Sequence, residues 1–312
     1  MIETHGLTQR YGRLTALDDL TLRVAEGEFY GFIGPNGAGK TTTIHILATL
    51  LQPTEGWAEV AGHDVRFAGR EVRRLIGYLP DFFGVYPSLR VWEYLEFFAA
   101  AYEVPRSKRR PILDDVLELT GLEDKRDALV GSLSRGMQQR LGLARVLIHD
   151  PQVLLLDEPA SGLDPRARLE VREILRELQA MGKTILLSSH ILSELAEVCT
   201  AVGIIDRGRL LVSGPVDEVL AHVGPGETVR VEVAERPEAA ATALGDLPAT
   251  ERVQVLSDGD GPGVLRVFLR QRGQAGRVAA RLVDGGFGLQ HLERERHDLE
   301  DLYLRLTDEE SA

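Results

Sequence analysis

A glycine-rich run near the N-terminus ends in a lysine and two threonines. From Gly34 to Thr42 it reads GPNGAGKTT and fits the pattern G-x-x-x-x-G-K-[ST]. Glycines let backbone N–H groups converge on an anion, lysine can reach the β- and γ-phosphates of a nucleotide, and a threonine hydroxyl can ligate Mg²⁺. A strand-like run precedes the loop and a helix-compatible run follows it, so the helix N-terminus faces the anion. The predicted nucleotide-contacting residues are Gly34, Pro35, Asn36, Gly37, Ala38, Gly39, Lys40, Thr41 and Thr42.

Two carboxylates follow an apolar run later in the chain. Val153–Leu156 are all aliphatic, and Asp157 and Glu158 come directly after them. Open α/β sheets bind ligands at the carboxyl ends of their strands. Asp157 can therefore hold Mg²⁺ through water, and Glu158 can act as general base on an attacking water. Two acids at a strand end are by themselves an ordinary surface feature, but the phosphate loop in the same domain favours a role in hydrolysis.

A serine and a glycine open a helix between these two motifs. Ser134 can cap a helix that runs to about Ile148, and Gly136 lies in its first turn. The helix N-terminus and the serine hydroxyl could also form a second anion site. One nucleotide cannot easily touch both Ser134 and Lys40 of one subunit, because a helical region intervenes. We therefore expect a second copy of the chain, related by a two-fold axis, to supply this second site.

The elements that must position these residues fall into two regions. Up to residue 222, strand-like and helix-like runs alternate, as in an α/β domain, and a mainly helical insertion occupies about 83–148. Residues 223–228 are predicted to be a linker. Residues 229–312 follow the order βαββαβ with an extra helix at 299–306, which suits a small α+β, ferredoxin-like accessory domain. That domain has no motif that we can connect to chemistry.

Shorter patterns specify individual elements of the first region. Leu20, Leu22 and Val24 alternate with polar residues, which is typical of a half-buried antiparallel strand. Residues 184–187 form a short apolar run of the kind found in strands buried on both faces. Residues 201–212 are predicted to form a hairpin.

The composition limits the classes of function. With 312 residues, 44% of them hydrophobic, the chain can bury a core and has the length of two domains. The net charge of −12 argues against a general nucleic-acid binder. Cys199 is the single cysteine, which excludes an intramolecular disulfide and fits a reducing cytosol. We expect neither a signal peptide nor a membrane span.

Residues 1 to about 220 resemble the ATP-binding subunit of an ABC transporter. The resemblance is carried by Gly34–Thr42 (Walker A), Leu133–Gln138 (the LSGGQ signature), Val153–Glu158 (Walker B), Ser161–Asp164 (the D-loop), His190 (the switch histidine) and Tyr11 (the aromatic that stacks on adenine). It implies a P-loop NTPase fold of the ABC cassette type with an antiparallel N-terminal sheet. It also implies ATP and Mg²⁺ as cofactors, with Lys40, Glu158 and His190 as catalytic residues.

The resemblance further implies partners and a location. Asp164 would cross an ATP-dependent homodimer interface, and the cassette would power export through a separately encoded membrane permease from the cytoplasmic side of the cell membrane. Two other readings stay open. One is a soluble ABC ATPase that acts without transport as a nucleotide-gated clamp. The other is a degenerate cassette that binds ATP without hydrolysing it.

Three positions depart from the family pattern. Asp81 stands where the family usually has a glutamine, and its carboxylate can accept a hydrogen bond or hold a Mg²⁺-bound water but cannot donate a hydrogen bond. Arg135 replaces a glycine of the signature, and Met137 replaces a glutamine. The stretch after Asp81, residues 82–102, is rich in aromatic side chains. These can form the core of the helical insertion or a groove for a helix of the permease.

Overall fold

The computed structural model describes residues 1–82, 84–190, 198–221, 227–256, 262–271, 273–295 and 302. The chain divides into two compact units, Met1–Val216 and Asp217–Ala312. The sequence places the first boundary at residue 222, six residues later. The strand that opens the second unit begins at Glu227, inside the predicted linker 223–228, whereas residues 223–226 lie outside the described residues.

The first unit contains ten strands. They are β1 (Ile2–Tyr11), β2 (Leu14–Val24), β3 (Phe29–Ile33), β4 (Glu55–Val60), β5 (His63–Asp64), β6 (Ile76–Leu79), β7 (Val153–Asp157), β8 (Thr184–Ser189), β9 (Ala201–Asp206) and β10 (Arg209–Pro215). Its helices are α1 (Lys40–Leu47), α2 (Gly69–Leu75), α3 (Val91–Ala101), α4 (Arg106–Leu119), α5 (Arg135–Leu147) and α6 (Pro165–Ala180). Two 3-10 turns, Glu123–Lys125 and Val130–Ser132, lie between α4 and α5. These lists cover only the described part of the chain.

The N-terminal part forms a four-stranded antiparallel sheet in the order β2-β1-β4-β5. This confirms the predicted antiparallel N-terminal sheet. The strand that we predict from Leu20, Leu22 and Val24 is the end of the longer strand β2, and these three side chains are buried. Their alternation arises because only one face of this part of the strand packs on the core.

A second sheet has the order β10-β9-β3-β8-β7-β6, and all its neighbours are parallel except β9 and β10. Every residue of β3, β7, β8 and β9 is buried. Strands covered on both faces have continuous apolar runs, which is why these segments show no alternation. Because β3, β7 and β8 run in parallel, the residues that follow them reach the same edge of the sheet. The predicted hairpin at 201–212 is β9–β10.

The region between β6 and β7 contains the helices α3, α4 and α5, as predicted for the insertion at about 83–148. In α4 the buried residues are Leu113, Val116 and Leu117. Ile112 and Leu119 share helical spacing with Val116 but are only half-buried. Two apolar stripes share Val116, and helical spacing alone does not decide which of them faces inward.

The second unit has a four-stranded antiparallel sheet. In chain order it contains β11 (Glu227–Val233), α8 (Pro237–Gly245), β12 (Thr250–Val255), β13 (Gly263–Leu269), α9 (Ala275–Asp284) and β14 (Leu289–Glu295), and helix α7 (Val216–Ala221) spans the point of division. The strand order is β12-β13-β11-β14. Its core joins Val229, Val231 and Val233 of β11 to Val278 and Leu282 of α9. The extra helix predicted at 299–306 lies outside the described residues except for Leu302, which is buried.

Candidate nucleotide site

The glycine-rich loop joins the end of β3 to the start of α1. Gly37 and Gly39 have φ angles of 85° and 110°, a region that favours glycine. Gly34 is required for a different reason, because a Cβ there would lie 2.2 Å from the carbonyl oxygen of Ile205. The loop is closed by a hydrogen bond from Ala38 N to the carbonyl of Pro35 (3.2 Å). Close packing and left-handed backbone together fix the loop at the N-terminus of α1.

Lys40 is the first residue of α1, and its side chain is only 6% exposed. Its ammonium group donates to the carbonyl oxygens of Gly34 (2.6 Å) and Pro35 (3.2 Å). The same Nζ lies 3.4 Å from Oε1 of Glu158. Lys40 therefore places a positive charge between the loop and the carboxylate that follows β7.

Glu158 lies between two predicted catalytic partners. Its Oε2 is 2.8 Å from Nδ1 of His190, while its Oε1 faces Lys40. Its side chain is 13% exposed, and its φ angle of 49° is unusual for a residue other than glycine. Such a backbone conformation costs on the order of 1–3 kcal/mol and persists only where the surroundings hold it. The structure thus brings together Lys40, Glu158 and His190, which come from three separate segments.

A serine that sequence reasoning missed holds both acids. Ser188, the partner of Asp157 in the β7–β8 register, is fully buried. Its hydroxyl donates to Oδ1 of Asp157 (2.6 Å) and accepts a hydrogen bond from the backbone N–H of Glu158 (3.0 Å). Asp157 itself is 2% exposed. One hydroxyl therefore fixes the side chain of the first acid and the backbone of the second.

An open cleft of about 770 Å³ lies over the loop. Its lining residues are Tyr11, Leu14, Ala16, Pro35, Asn36, Gly37, Gly39, Lys40, Thr41, Thr42, Asp81 and Glu158. Tyr11, at the end of β1, is 48% exposed, and Asp81, which follows β6, is also exposed. The cleft thus combines the loop, the predicted adenine-stacking aromatic, the predicted metal ligands Thr41 and Asp81, and the predicted base. The third predicted metal ligand, Asp157, is not among the residues that line it.

Two half-buried polar side chains connect β6 to α1. The hydroxyl of Tyr78 is 3.1 Å from Nε2 of His45. Burial, with a further contribution from the charge of Asp157, raises the pKa of Tyr78 to about 12. The hydroxyl therefore stays protonated at neutral pH and links the helix after the phosphate loop to the strand that leads to Asp81.

A glycine turn ties the phosphate loop to the N-terminal sheet. Gly208, between β9 and β10, donates its N–H to the carbonyl of Ala38 (2.9 Å) and accepts a hydrogen bond from Asp18 N (3.0 Å). Its φ angle is 83°, and a Cβ would lie 2.8 Å from the carbonyl oxygen of Ala16. Arg209 adds a salt bridge to Asp18 (2.6 Å). The sequence signals only a hairpin turn here.

Three predicted nucleotide ligands lie outside the cleft of their own subunit. Ser134 is exposed and caps α5, accepting a hydrogen bond from Met137 N (3.3 Å). Gly136 is buried against α6, where a Cβ would lie 2.7 Å from Cβ of Ala167. Asp164 is exposed and caps α6, accepting from Ala167 N (2.9 Å). None of the three is among the residues that line the cleft.

The aromatic residues after Asp81 divide into a buried and an exposed group. Tyr94 is fully buried and packs on Phe98 with ring centroids 4.9 Å apart. Tyr86 and Phe97 contact each other at 6.0 Å but are 53% and 52% exposed, and Phe82 is 87% exposed. Part of the group is thus core and part faces outward. Residue 83 lies outside the described residues. Across the described part of the chain, no helix combines the length and apolar character that a membrane crossing requires.

Comparison with known proteins identifies the family. The ABC transporter family profile matches residues 17–161. The Nod factor export ATP-binding protein I of Ralstonia nicotianae is 36% identical over 99% of this chain and 94% of its own length. The daunorubicin resistance ATP-binding protein DrrA3 of Streptomyces coeruleorubidus is 36% identical over 98% and 95%. The bacitracin transport ATP-binding protein BcrA of Bacillus licheniformis is 34% identical over 98% and 97%.

Solved structures of ABC transporter cassettes are similar to this chain as well. A structure described as the ATP-binding subunit of an ABC transporter has a TM-score of 0.64 and 31% identity, over 71% of this chain and 92% of the other. The cassette MJ0796, dimeric in a post-hydrolysis state with ADP and Pi, has a TM-score of 0.62 and 26% identity, over 69% and 99%. The chain belongs to the ATP-binding subunits of ABC transporters. It is an ABC ATPase that couples ATP hydrolysis to transport, as the motifs predict.

Proposed function

We propose that this chain powers export of a substrate through a separately encoded permease, by closure and hydrolysis of two ATP-bound copies. The observation that carries the hydrolytic part is the carboxylate of Glu158, held between Lys40 and His190 at the edge of the phosphate cleft. The export part is supported by relatives aligned over nearly the whole chain, which are named for export, drug resistance or antibiotic transport.

The residues in and around the cleft have separate roles in this proposal. Backbone N–H groups of the glycine-rich loop and the ammonium group of Lys40 bind the phosphates. Glu158 accepts the proton of the attacking water, and His190, in contact with Glu158, orients that carboxylate and contacts the γ-phosphate. Tyr11 stacks on the base at the exposed side of the cleft.

Magnesium fits the donors that are present. The hydroxyl of Thr41 and the carboxylates of Asp157 and Asp81 are hard oxygen ligands. Among the described residues there is no group of three or more His, Cys, Asp or Glu that could enclose an ion. Mg²⁺ does not need one, because one or two carboxylates, substrate phosphates and water suffice. When bound, the ion neutralises charge on the phosphates.

The second copy completes each site in this proposal. Ser134 and Asp164 are exposed, and neither lines the cleft of its own subunit. An isologous two-fold dimer would place Ser134 and Gly136 of one copy on the nucleotide of the other, with Asp164 at the interface. The dimeric cassette among the similar structures supports this arrangement.

The permease contact and the second unit are parts of the same proposal. Exposed Tyr86 and Phe97 lie on the insertion that follows Asp81, so a docked permease helix would be one short segment from the phosphates. This docking would hold the chain at the cytoplasmic side of the membrane. We further propose that residues 229–312 form a ferredoxin-like accessory domain beyond a linker at 223–228. The order βαββαβ and the antiparallel sheet support it.

The test compares ATP hydrolysis and ATP-dependent dimerisation of the full chain. Glu158→Gln should slow hydrolysis by about 10²–10⁴-fold, the span of a lost general base, while an ATP-bound dimer accumulates. Glu173→Gln, which changes an exposed glutamate of α6, is the matched control and should behave as the parent. If Glu158→Gln hydrolyses ATP at the parental rate, the assigned base is wrong.

Co-purification separates export from a soluble clamp. Full-length chain carrying Glu158→Gln is purified from detergent-solubilised membranes, and the co-purifying proteins are identified. The proposed docking site is supported if the Glu158→Gln chain captures an integral membrane protein and the same chain with Tyr86→Ala added does not. Recovery of ribosomes or DNA without a membrane protein would favour the clamp.

A further inference from the structure

The arginine that replaces a signature glycine packs on the D-loop of its own subunit. Arg135 is the first residue of α5. A Cβ placed on Gly162 would lie 2.6 Å from its Nη2 and 2.7 Å from both Cζ and Nη1. Three guanidinium atoms at nearly equal distance mean that the flat face of the group covers Gly162. Nη2 also donates to the carbonyl oxygen of Ser161 (3.4 Å).

Neighbouring contacts join α5 to α6, the helix that follows this loop. Gly136 packs against Ala167 of α6, as described above. One turn further along α5, Arg140 lies 3.4 Å from the carboxylate of Glu170 on α6. The contact of Arg135 therefore extends an existing α5–α6 interface onto the loop that precedes α6.

The loop that Arg135 covers leads directly to the catalytic base. Ser161 N donates to the carbonyl oxygen of Glu158 (3.0 Å), which closes a turn between the two residues. Gly162 has a φ angle of 64°, so the loop needs glycine at the covered position. The signature helix is thus two contacts away from Glu158 within one subunit.

We propose that Arg135 is a positioning residue that fastens the D-loop to the signature helix of the same subunit. This inference rests on the proposed function, in which both segments face the second copy. Once fastened together, the D-loop and the signature helix meet that copy as one preformed surface. Planarity carries the contact, because a guanidinium can lie flat on a peptide backbone and a lysine ammonium cannot. Closure of the dimer depends on this contact of Arg135 with the D-loop. Binding of ATP to the isolated subunit does not.

A double-mutant cycle tests this in full-length protein carrying Glu158→Gln. The variants are Arg135→Gly, Gly162→Ala and the pair, and the readout is the ATP concentration at half-maximal dimerisation by light scattering. Arg135→Gly should raise that concentration at least about threefold, as expected when a contacting pair is broken. Gly162→Ala should do the same, because its methyl takes the place of the guanidinium. In the double variant the ATP concentration at half-maximal dimerisation should rise by less than the product of the two single effects. Backbone strain from the alanine at residue 162 is present in both variants that carry it and therefore cancels in the cycle.

Two further measurements separate positioning from general structure and from charge. Binding of a fluorescent ATP analogue to the monomer and the melting temperature should match the parent in Arg135→Gly. Arg135→Lys should resemble Arg135→Gly. Multiplicative effects in the cycle, or a lysine variant that behaves as the parent, would overturn the inference and assign Arg135 to phosphate attraction or to solvent. If Glu158→Gln alone fails to dimerise with ATP, the proposed function fails first, and the inference with it.

Discussion

Removing the hydroxyl of Ser188 should loosen both acids of the site without touching either of them. In Ser188→Ala the carboxylate of Asp157 loses a buried 2.6 Å hydrogen bond. The backbone N–H of Glu158 loses the hydroxyl at 3.0 Å but keeps a second acceptor, the carbonyl oxygen of Ser188 at 3.2 Å. The substitution therefore leaves no backbone donor unpaired, and the lost bond to Asp157 dominates its effect.

The size of the effect follows from the kind of bond. A hydrogen bond to a charged group contributes about 1.5–3 kcal/mol to the free energy of unfolding. In a unit of the size of Met1–Val216, a loss of about 2 kcal/mol lowers the melting temperature by roughly 4–8 °C. A displacement of Glu158 by about 1 Å would reduce kcat about 100-fold, so a smaller shift, with the second acceptor retained, should reduce kcat by less than that.

Ser213→Ala is the control for the loss of a neutral hydrogen bond, at a position that is more exposed than Ser188. Its hydroxyl is 2.7 Å from the hydroxyl of Tyr30, and burial raises the pKa of Tyr30, so the pair is neutral. A neutral bond should cost only about 1 kcal/mol, and kcat should not change. Thermal unfolding without nucleotide or Mg²⁺, followed by circular dichroism, gives the comparison. If both serine variants lower the melting temperature equally, the hydrogen bond to the charged Asp157 is no stronger than the neutral one, and the reasoning is refuted.

Three other changes have expected outcomes. Gly34→Ala should abolish ATP binding in a fluorescence titration, because its Cβ would lie 2.2 Å from Ile205 O, whereas Gly37→Ala, with nothing within 4 Å, should cost only about 1–2 kcal/mol of backbone strain and keep measurable binding. Burial lowers the pKa of His149. Below its ordinary pKa the unfolded chain therefore takes up a proton that the folded chain does not, and the free energy of unfolding falls as pH falls. His149→Gln should flatten this fall between about pH 7 and about pH 5 in urea unfolding. Asp81→Asn should shift the Mg²⁺ dependence of the ATPase rate, and an unchanged curve would assign Asp81 to structure or coupling.

Most residues that line the cleft belong to contiguous motifs, so the sequence could predict that they lie together, whereas Leu14 and Ala16 belong to no such motif. The loop before α1, Glu158 and His190 each follow a buried strand, and parallel strands bring their carboxyl ends to one edge. Lys40 and Glu158 are therefore close in space although far apart in the chain. The cassette fold and its antiparallel sheet follow from the same motifs.

Residues whose role depends on register could not be predicted in this way. Ser188 matters because β8 pairs with β7 so that it lies beside Asp157, and no local pattern states that pairing. The packing reason for Gly136 is a residue of another helix, Ala167. Arg135 could equally have pointed to solvent, since an arginine at the start of a helix has no preferred partner in sequence.

The turn at Gly208 has a practical consequence for measuring motion. Main-chain hydrogen bonds at this glycine join the phosphate loop to the N-terminal sheet, and the Asp18–Arg209 salt bridge and the close packing of Leu17 on Gly39 add to them. The loop and that sheet form a fixed reference frame within the first unit. A pair of spin labels at exposed Arg23 of β2 and exposed Arg207 should keep one distance throughout the ATPase cycle. Distances from either label to the insertion would then report its movement alone.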